Sequence, residues 1–444
     1  PHDVQNDKCG DFCHGLLGLV SHFRSYWISK FDLKHAKKLV EALSSGTSLP
    51  KEAGGEIMRQ LQDLHGIDLN PLLVTVFVAT SNIQRRDIPA NITELFKKFT
   101  ELLLGRWDIQ KGLNQQYQSQ VKDFLLRAVA LKMHRERRSK IPLQDFREII
   151  RTQLEERGLK ADIEVCIDEI LNRSGLLRRE GDQLLFRHMM FQEFFAGRAV
   201  ETVEDFRTLV SDEWWRNAIV FYFGDRPDAH YDITKLVNSI EETSSDKLYN
   251  AAITIGLALQ ACYLTKTRDR TNILDWVIRS LAATYESFVE YVGGPDVKFP
   301  LYRFLEYYIG ARDSVASRNI QDLLDGAVAN AGGTLFDENV QLRMFWCIVG
   351  LIESGNIAKA EEVLGDFHPD DNRLLLAIFL GCFLIQNLRI STSDEKKAAS
   401  RIIRLLETRV HALRQEIMQE FNSLLLEMRQ GAIKALPGPD KSRS

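Results

Sequence analysis

Apolar residues recur at helical spacing along most of this chain. Within residues 33–43 they fall at Ala36, Leu39, Val40 and Leu43, one face of a helix. The stretch 91–107 (NITELFKKFTELLLGRW) repeats the pattern with its ends marked. Asn91 suits an N-cap with Glu94 three positions on, and Gly105 stands where a left-handed C-cap is expected. Further helices are predicted from Gln118 to about Arg135, after Pro142 with Leu143, Phe146, Ile149, Ile150 and Leu154 on one face, and near Ile163 to Leu171. The period then changes. Two short apolar runs flank Gly181-Asp182, a tight-turn dipeptide, which predicts a hairpin closing on a strand over Leu184–Arg187. His188 leads into another helix, with Phe191, Phe194, Phe195 and Ala199 near helical spacing. From Asp232 to about Ala435 the pattern is helical only, with breaks at Gly293-Gly294-Pro295, Gly332-Gly333 and Pro369-Asp370-Asp371. One earlier segment, Ser25–Asp32, reads as a buried strand.

Three helices, a hairpin and an aromatic helix, in that order, are the parts of a winged helix, here spanning about Gln118–Val200. The expected fold class is mainly α: a helical domain, a winged-helix domain with a small β-hairpin, then an irregular helical-repeat, α-solenoid-like region. The divisions this implies are residues 1–32, 33–110, 111–200, 201–300 and 301–444, with a disordered tail at Pro437–Ser444. Met344–Leu364, carrying Gly350, Gly355, Ala358 and Ala360, is similar to one helix-turn-helix of a tetratricopeptide repeat, but no strict period runs through the region.

Composition narrows the class. At 444 residues, 45% hydrophobic and 27% charged, the chain holds several packed domains and is not broadly disordered. A formal net charge of −4 gives no drive toward nucleic acid or an anionic membrane. The longest apolar run, Leu374–Ile385, falls short of the roughly 20 residues a spanning helix needs, and no signal peptide is visible. Six cysteines over this length make no disulfide framework and point to a reducing cytoplasm. Opening on Pro1 rather than Met, the chain reads as a fragment or processed product of a longer protein.

Candidate chemistry is sparse. Cys9, Cys13 and His14, with His2, do not have a zinc-site spacing and read as ordinary thiols and imidazoles. The basic run Lys132, Arg135, Arg137, Arg138 and Lys140 is interrupted by Glu136, and a solvated helix end accounts for it better than DNA binding. There is no G-x-x-x-x-G-K-[ST], no strand followed by an acidic Mg²⁺ cluster, no G-x-S-x-G and no HExxH. Catalysis by this chain alone is not expected.

The block from Gly175 to Val200 carries the most specific signal. Gly175, Leu176, Phe186, His188, Phe191, Gln192, Glu193, Phe194 and Ala196 resemble the winged-helix domain of NACHT-type STAND NTPases, the NLR-like switches. Residues 70–73 (NPLL), 91–107 and 212–224 (DEWWRNAIVFYFG) are similar to family segments in the same order, so the resemblance covers about residues 25–223. It implies that His188 touches the phosphates of bound ADP and that Pro71 packs on the adenine. On the residues alone, His188 ends a strand and caps a helix, and Pro71 fits the first turn of a buried helix. Gln192 and Glu193 orient their helix, and Trp214 and Trp215 are packing anchors.

The resemblance further implies ADP/ATP with Mg²⁺ held in the full-length protein against the chain's own N-terminal nucleotide-binding domain. No tight nucleotide binding is expected of this chain alone. A protein trigger on the C-terminal helices would release a homo-oligomerising, ATP-bound state, in prokaryotic anti-phage defence or signalling. Two other readings stand beside it: a helical-repeat interaction scaffold with a relic winged helix, and a transcriptional regulator.

Overall fold

The computed structural model describes residues 33–45, 71, 74–76, 78, 91–105, 119–159, 162–240, 244–290, 300–316, 320–332, 339–387, 393–407 and 409. The readings made on residues 1–32 (Cys9, Cys13 and His14 among them), 291–299 and 437–444 lie outside these residues. Within them, helix α1 spans Leu33–Ser45 and α2 spans Ile92–Leu103. Both expected signals at the ends of α2 are present. The Asn91 side chain accepts the Glu94 N–H at 2.9 Å, and Gly105 has φ +87°.

Next come α3 (Ser119–Arg135), the two-residue strand β1 (Ile141–Pro142), α4 (Leu143–Glu155) and α5 (Ile163–Asp168), which runs into a π-helical turn over Glu169–Arg173. Strands β2 (Leu177–Glu180) and β3 (Gln183–Phe186) follow, and then α6 (Met189–Ala199). The sheet is antiparallel in the order β1-β3-β2, with Leu177 opposite Phe186 and Glu180 opposite Gln183. That register leaves Gly181-Asp182 as the two-residue loop, and Gly181 takes φ +62°, which a side chain would resist. The closing strand sits one residue earlier than its expected bounds. The third strand, β1, is not legible in the sequence: two residues ahead of a helix carry no alternation, and only the pairing of Ile141 with Leu184 and Pro142 with Gln183 makes them a strand.

Helix α6 departs from an amphipathic reading. Every residue from Phe191 to Arg198 is buried, because α3, α2 and α7 (Arg216–Gly224) surround it. Gly197 is where α6 crosses α7: a Cβ there would stand 2.1 Å from the Ala218 carbonyl oxygen. Backbone cannot yield as a flexible side chain does. Gly197→Ala is therefore expected to destabilise by about 2 kcal/mol, whereas Gly365→Ala, with open space at its Cβ, should be near neutral. Comparing urea midpoints of the two variants checks this.

The remaining helices are α8 (His230–Asn238), α9 (Ser245–Ala261), α10 (Thr267–Glu290), α11 (Pro300–Arg312), α12 (Gln321–Gly332), α13 (Val340–Glu353), α14 (Ile357–Gly365) and α15 (Asn372–Asn387), with further helical residues at 393–407. No strand occurs among the described residues beyond 187. Helices α13 and α14 form a hairpin through Gly355 at φ +92°. Its inner face packs on a ring cluster in which Tyr249 donates to the Tyr307 carbonyl at 2.6 Å and Trp346 donates to the Tyr307 hydroxyl at 3.2 Å.

Two apolar cores result. One lies under the winged helix and extends to Ala36, Val40 and Val74; the other runs through the later helices. Helix α7 sits between them, giving Phe221 to the first and Ala218, Ile219, Tyr222 and Phe223 to the second. Helix α2 shares the winged-helix core, since Phe96 meets Phe191, Phe194 and Phe221 at ring distances of 5.3–5.7 Å. Asn91 ties the same helix onward, donating to the Gly224 carbonyl at 3.1 Å, while Glu94 accepts the Tyr263 hydroxyl at 2.9 Å.

Candidate functional site

The start of α6 is built from its cap. His188 has the extended backbone of an N-cap, φ −142° and ψ 140°, and its Nδ1 accepts the Met190 N–H at 3.2 Å. The ring is otherwise exposed, and Nε2 makes no hydrogen bond among the described residues. Partial burial holds the imidazole below the usual histidine range, which favours the neutral form.

One turn on, two buried polar side chains fix the rotation of α6. Gln192 donates to the Arg138 carbonyl at 2.9 Å, in the turn that follows α3, and Glu193 accepts from Asn217 of α7 at 3.1 Å. Burial pushes the Glu193 carboxyl up, against the pull of that single hydrogen bond. At the far end Arg198 donates to Asp123 at 2.8 Å and lies over the Phe194 ring. Gln192 and Glu193 thus orient the helix.

Pro71 is exposed and helical, and its carbonyl accepts the Thr75 hydroxyl at 2.8 Å. Val74, Val76 and Val78 of that helix lie in the core that also holds Phe191 and Phe194. His188 and Pro71, the two residues singled out, are thus both exposed at the surface. Neither is a phosphate cradle, and the sequence has no G-x-x-x-x-G-K-[ST] motif to supply one.

A second cluster joins the winged helix to the helices after it. His134, in the last turn of α3, is fully buried. Its ring stacks on Trp214 at 4.9 Å and meets Trp215 edge-on at 4.5 Å, while the Trp214 indole donates to the His134 carbonyl at 2.8 Å. Neither ring nitrogen has a well-formed hydrogen bond. Burial drives the pKa down to about 4, with the Trp214 backbone and Asp212 pulling the other way. Arg137, the one non-glycine residue at positive φ among those described (+54°), pairs with Asp212 across the same joint. Beside it opens a cleft of about 770 Å³ bordered by Arg137, Met189, Glu193, Asp212, Trp214 and Lys247. Trp214 and Trp215 anchor the packing, as their size implied. Nothing in the sequence marked His134 as the surface they pack on, because one histidine in a basic run reads as solvated.

Four of the five cations in the basic run are ion-paired: Lys132 with Glu136, Arg137 with Asp212, Arg138 with Glu136 and Lys140 with Glu180. Asp162, Glu164 and Asp168 line the exposed part of α5, where a DNA-reading winged helix needs cations. No group of three potential metal ligands occurs among the described residues, and none of their helices is long and apolar enough to cross a membrane.

Comparison with curated proteins finds no match. Comparison with family models finds one, the winged helix-turn-helix domain C-terminal to NACHT, over residues 92–200. Those bounds begin at the first residue of α2 and end just after α6, so they enclose most of the winged-helix core described above, though not Ala36, Val40, Val74 or Phe221. Residues 92–200 of this chain therefore belong to the family of winged helix-turn-helix domains that lie C-terminal to NACHT.

Proposed function

We propose that this chain is the regulatory and sensing half of a NACHT-type STAND NTPase, an ADP/ATP-controlled switch in the cytoplasm. The match over residues 92–200 carries the reading, supported by an exposed imidazole at the head of the buried helix α6. In this reading ADP with Mg²⁺ is held mainly by the nucleotide-binding domain that precedes this chain. His188 donates to a phosphate oxygen and Pro71 lies on the adenine. A protein ligand on the later helices shifts the balance toward an oligomeric, ATP-bound state, in prokaryotic anti-phage defence or signalling. The helical hairpins after α7 also suit a second reading, an interaction scaffold without a nucleotide switch.

Nucleotide retention separates the two. One hydrogen bond to a charged oxygen is worth about 2 kcal/mol, so His188→Ala in the full-length protein should lower the ADP retained after purification by roughly thirtyfold in affinity. Residues 1–444 alone should bind ADP no tighter than about millimolar, because the cost of association is as large as or larger than what two contacts contribute. Calorimetry on both proteins decides. Micromolar binding by the chain alone, or unchanged retention in the variant, rejects the assignment.

A further inference from the structure

We infer that the cleft beside the His134 joint is a binding site for a small zwitterion of the amino-acid type, with Glu193 taking its ammonium and Lys247 its carboxylate. The inference does not depend on the nucleotide reading. At about 770 Å³ the cleft has the size of a small-molecule site. Five charged side chains border it, and three are already matched: Arg137 pairs with Asp212, and Glu213 faces Arg216 at 3.5 Å. Glu193 and Lys247 are left, one of each sign, with no ion pair among the described residues. Water satisfies an exposed lysine, but Glu193 is only 9% exposed. Its Oε2 accepts from Asn217 at 3.1 Å, and Oε1 accepts no hydrogen bond among the described residues. Burial leads the upward push on its pKa, Asn217 opposes it, and no cation contributes. Orienting α6 takes one carboxylate oxygen. The other remains for a ligand in the cleft, and an unmatched carboxylate this deep gains from any cation that reaches it.

The rest of the border says which cation. Trp214 is held in place, its ring stacked on His134 at 4.9 Å and its N–H donated to the His134 carbonyl at 2.8 Å. What it presents to the cleft is therefore fixed ring surface, which attracts an ammonium and also covers an apolar stem. Half-buried Met189 adds a flexible thioether beside it. Indole and thioether surface suits an organic ion rather than a metal, and no group of three potential metal ligands occurs among the described residues. A simple amine would match Glu193 and leave Lys247 unanswered. A carboxylate on the same small body matches both, and an apolar side chain between them has Trp214 and Met189 to lie on.

The test titrates the whole chain, labelled with fluorotryptophan, and follows the ¹⁹F signal that Trp214→Phe removes. Four probes separate the charges: leucine, the dipeptide Leu-Leu, isoamylamine with the ammonium alone, and isocaproate with the carboxylate alone. Leucine or Leu-Leu should move the signal at least tenfold more tightly than isocaproate and about fivefold more tightly than isoamylamine, since Lys247 is exposed and its charge is screened. Whichever of the two binds better fixes the spacing of the charges, one amino acid or a peptide. Glu193→Gln keeps an acceptor for Asn217 and should lose at least tenfold in affinity for the better zwitterion. Lys247→Gln lies at the surface, leaves the fold alone, and should bring that zwitterion down to the affinity of isoamylamine. No movement of the Trp214 signal with any probe up to about 20 mM overturns the site. Isocaproate binding as tightly as leucine, or Glu193→Gln binding as wild type does, removes the role of Glu193. Unchanged affinity in Lys247→Gln shows that the carboxylate is not read, and the zwitterion assignment is then wrong.

Discussion

Replacing Lys122 with methionine is expected to destabilise the winged-helix core by about 3–5 kcal/mol, the largest single-residue effect anticipated in this chain. Lys122 lies in the second turn of α3 with its side chain 2% exposed, and it meets Glu169, 3% exposed, at 3.2 Å. Glu169 opens the π-helical turn that continues α5 and also faces Arg173 at 3.9 Å. Removing the ammonium leaves a carboxylate inside a core that includes Leu125, Leu126 and Ile170. The low-dielectric surroundings are already visible at the adjacent Cys166, whose thiol burial, assisted by Glu169, pushes up to about 11. Desolvation costs each ion so much that an apolar pair of similar volume is often as stable as the ion pair it replaces. The double variant Lys122→Met/Glu169→Leu should therefore recover most of the loss. Native-state amide exchange in α3 and α5 measures both. A single variant within about 1 kcal/mol of wild type would show that the pair is hydrated and that the cost has been overstated.

The second large effect is a pH dependence centred on His134. Its folded pKa of about 4 lies below the unfolded value of 6.5. Above pH 6.5 the ring is neutral in both states and its packing between Trp214 and Trp215 is fully available. As the pH falls from 6.5 toward 4, the unfolded chain takes up the proton first, and stability declines. A displacement of this size corresponds to about 3 kcal/mol, complete once the folded ring also titrates. Two charged groups act on it across the joint: Asp212, which favours the imidazolium, and Arg137, which opposes it. Glu193 contributes the opposite slope, because its raised carboxyl pKa favours the folded state at low pH. His134→Phe keeps a ring against both indoles and removes the titration, so the difference between the two proteins isolates the histidine. Urea midpoints followed by tryptophan fluorescence should converge on acidification by the amount given. Parallel curves between pH 6.5 and 4 would mean that the imidazole is hydrated in the folded state.

The position of Lys122 is legible in the residue pattern. It occupies the same stripe as Leu125, Leu126, Val129, Ala130 and Met133, spaced three and four residues apart, which puts a lysine on the apolar face of α3. Its partner is not legible there, because Glu169 lies 47 residues away and turns inward only through the π-helical turn. His188 shows the same limit at the candidate site. The strand-to-helix change placed it as a cap, and the resemblance supplied a ligand role, but which nitrogen caps the helix depends on ring orientation. For the second cluster even the residue was hidden, since His134 acquires its meaning from Trp214, eighty positions on.

What the sequence determined by itself is whatever depends on short-range periodicity and on caps: the helices, the hairpin at Gly181-Asp182, the order of elements, and the winged-helix identity of the block ending at Val200. Local patterns suffice there because a helix or a two-residue turn is specified by residues within a few positions of one another. The tertiary structure alone decided that α6 is buried on every side and that Gly197 must lack a side chain where α7 crosses. It also decided that Asn91 both caps α2 and binds Gly224, and that Lys132, Arg137, Arg138 and Lys140 are ion-paired. Each of these depends on which distant surfaces meet. Apolar pattern says how much area must be covered, but complementarity of shape and of buried polar groups selects what covers it.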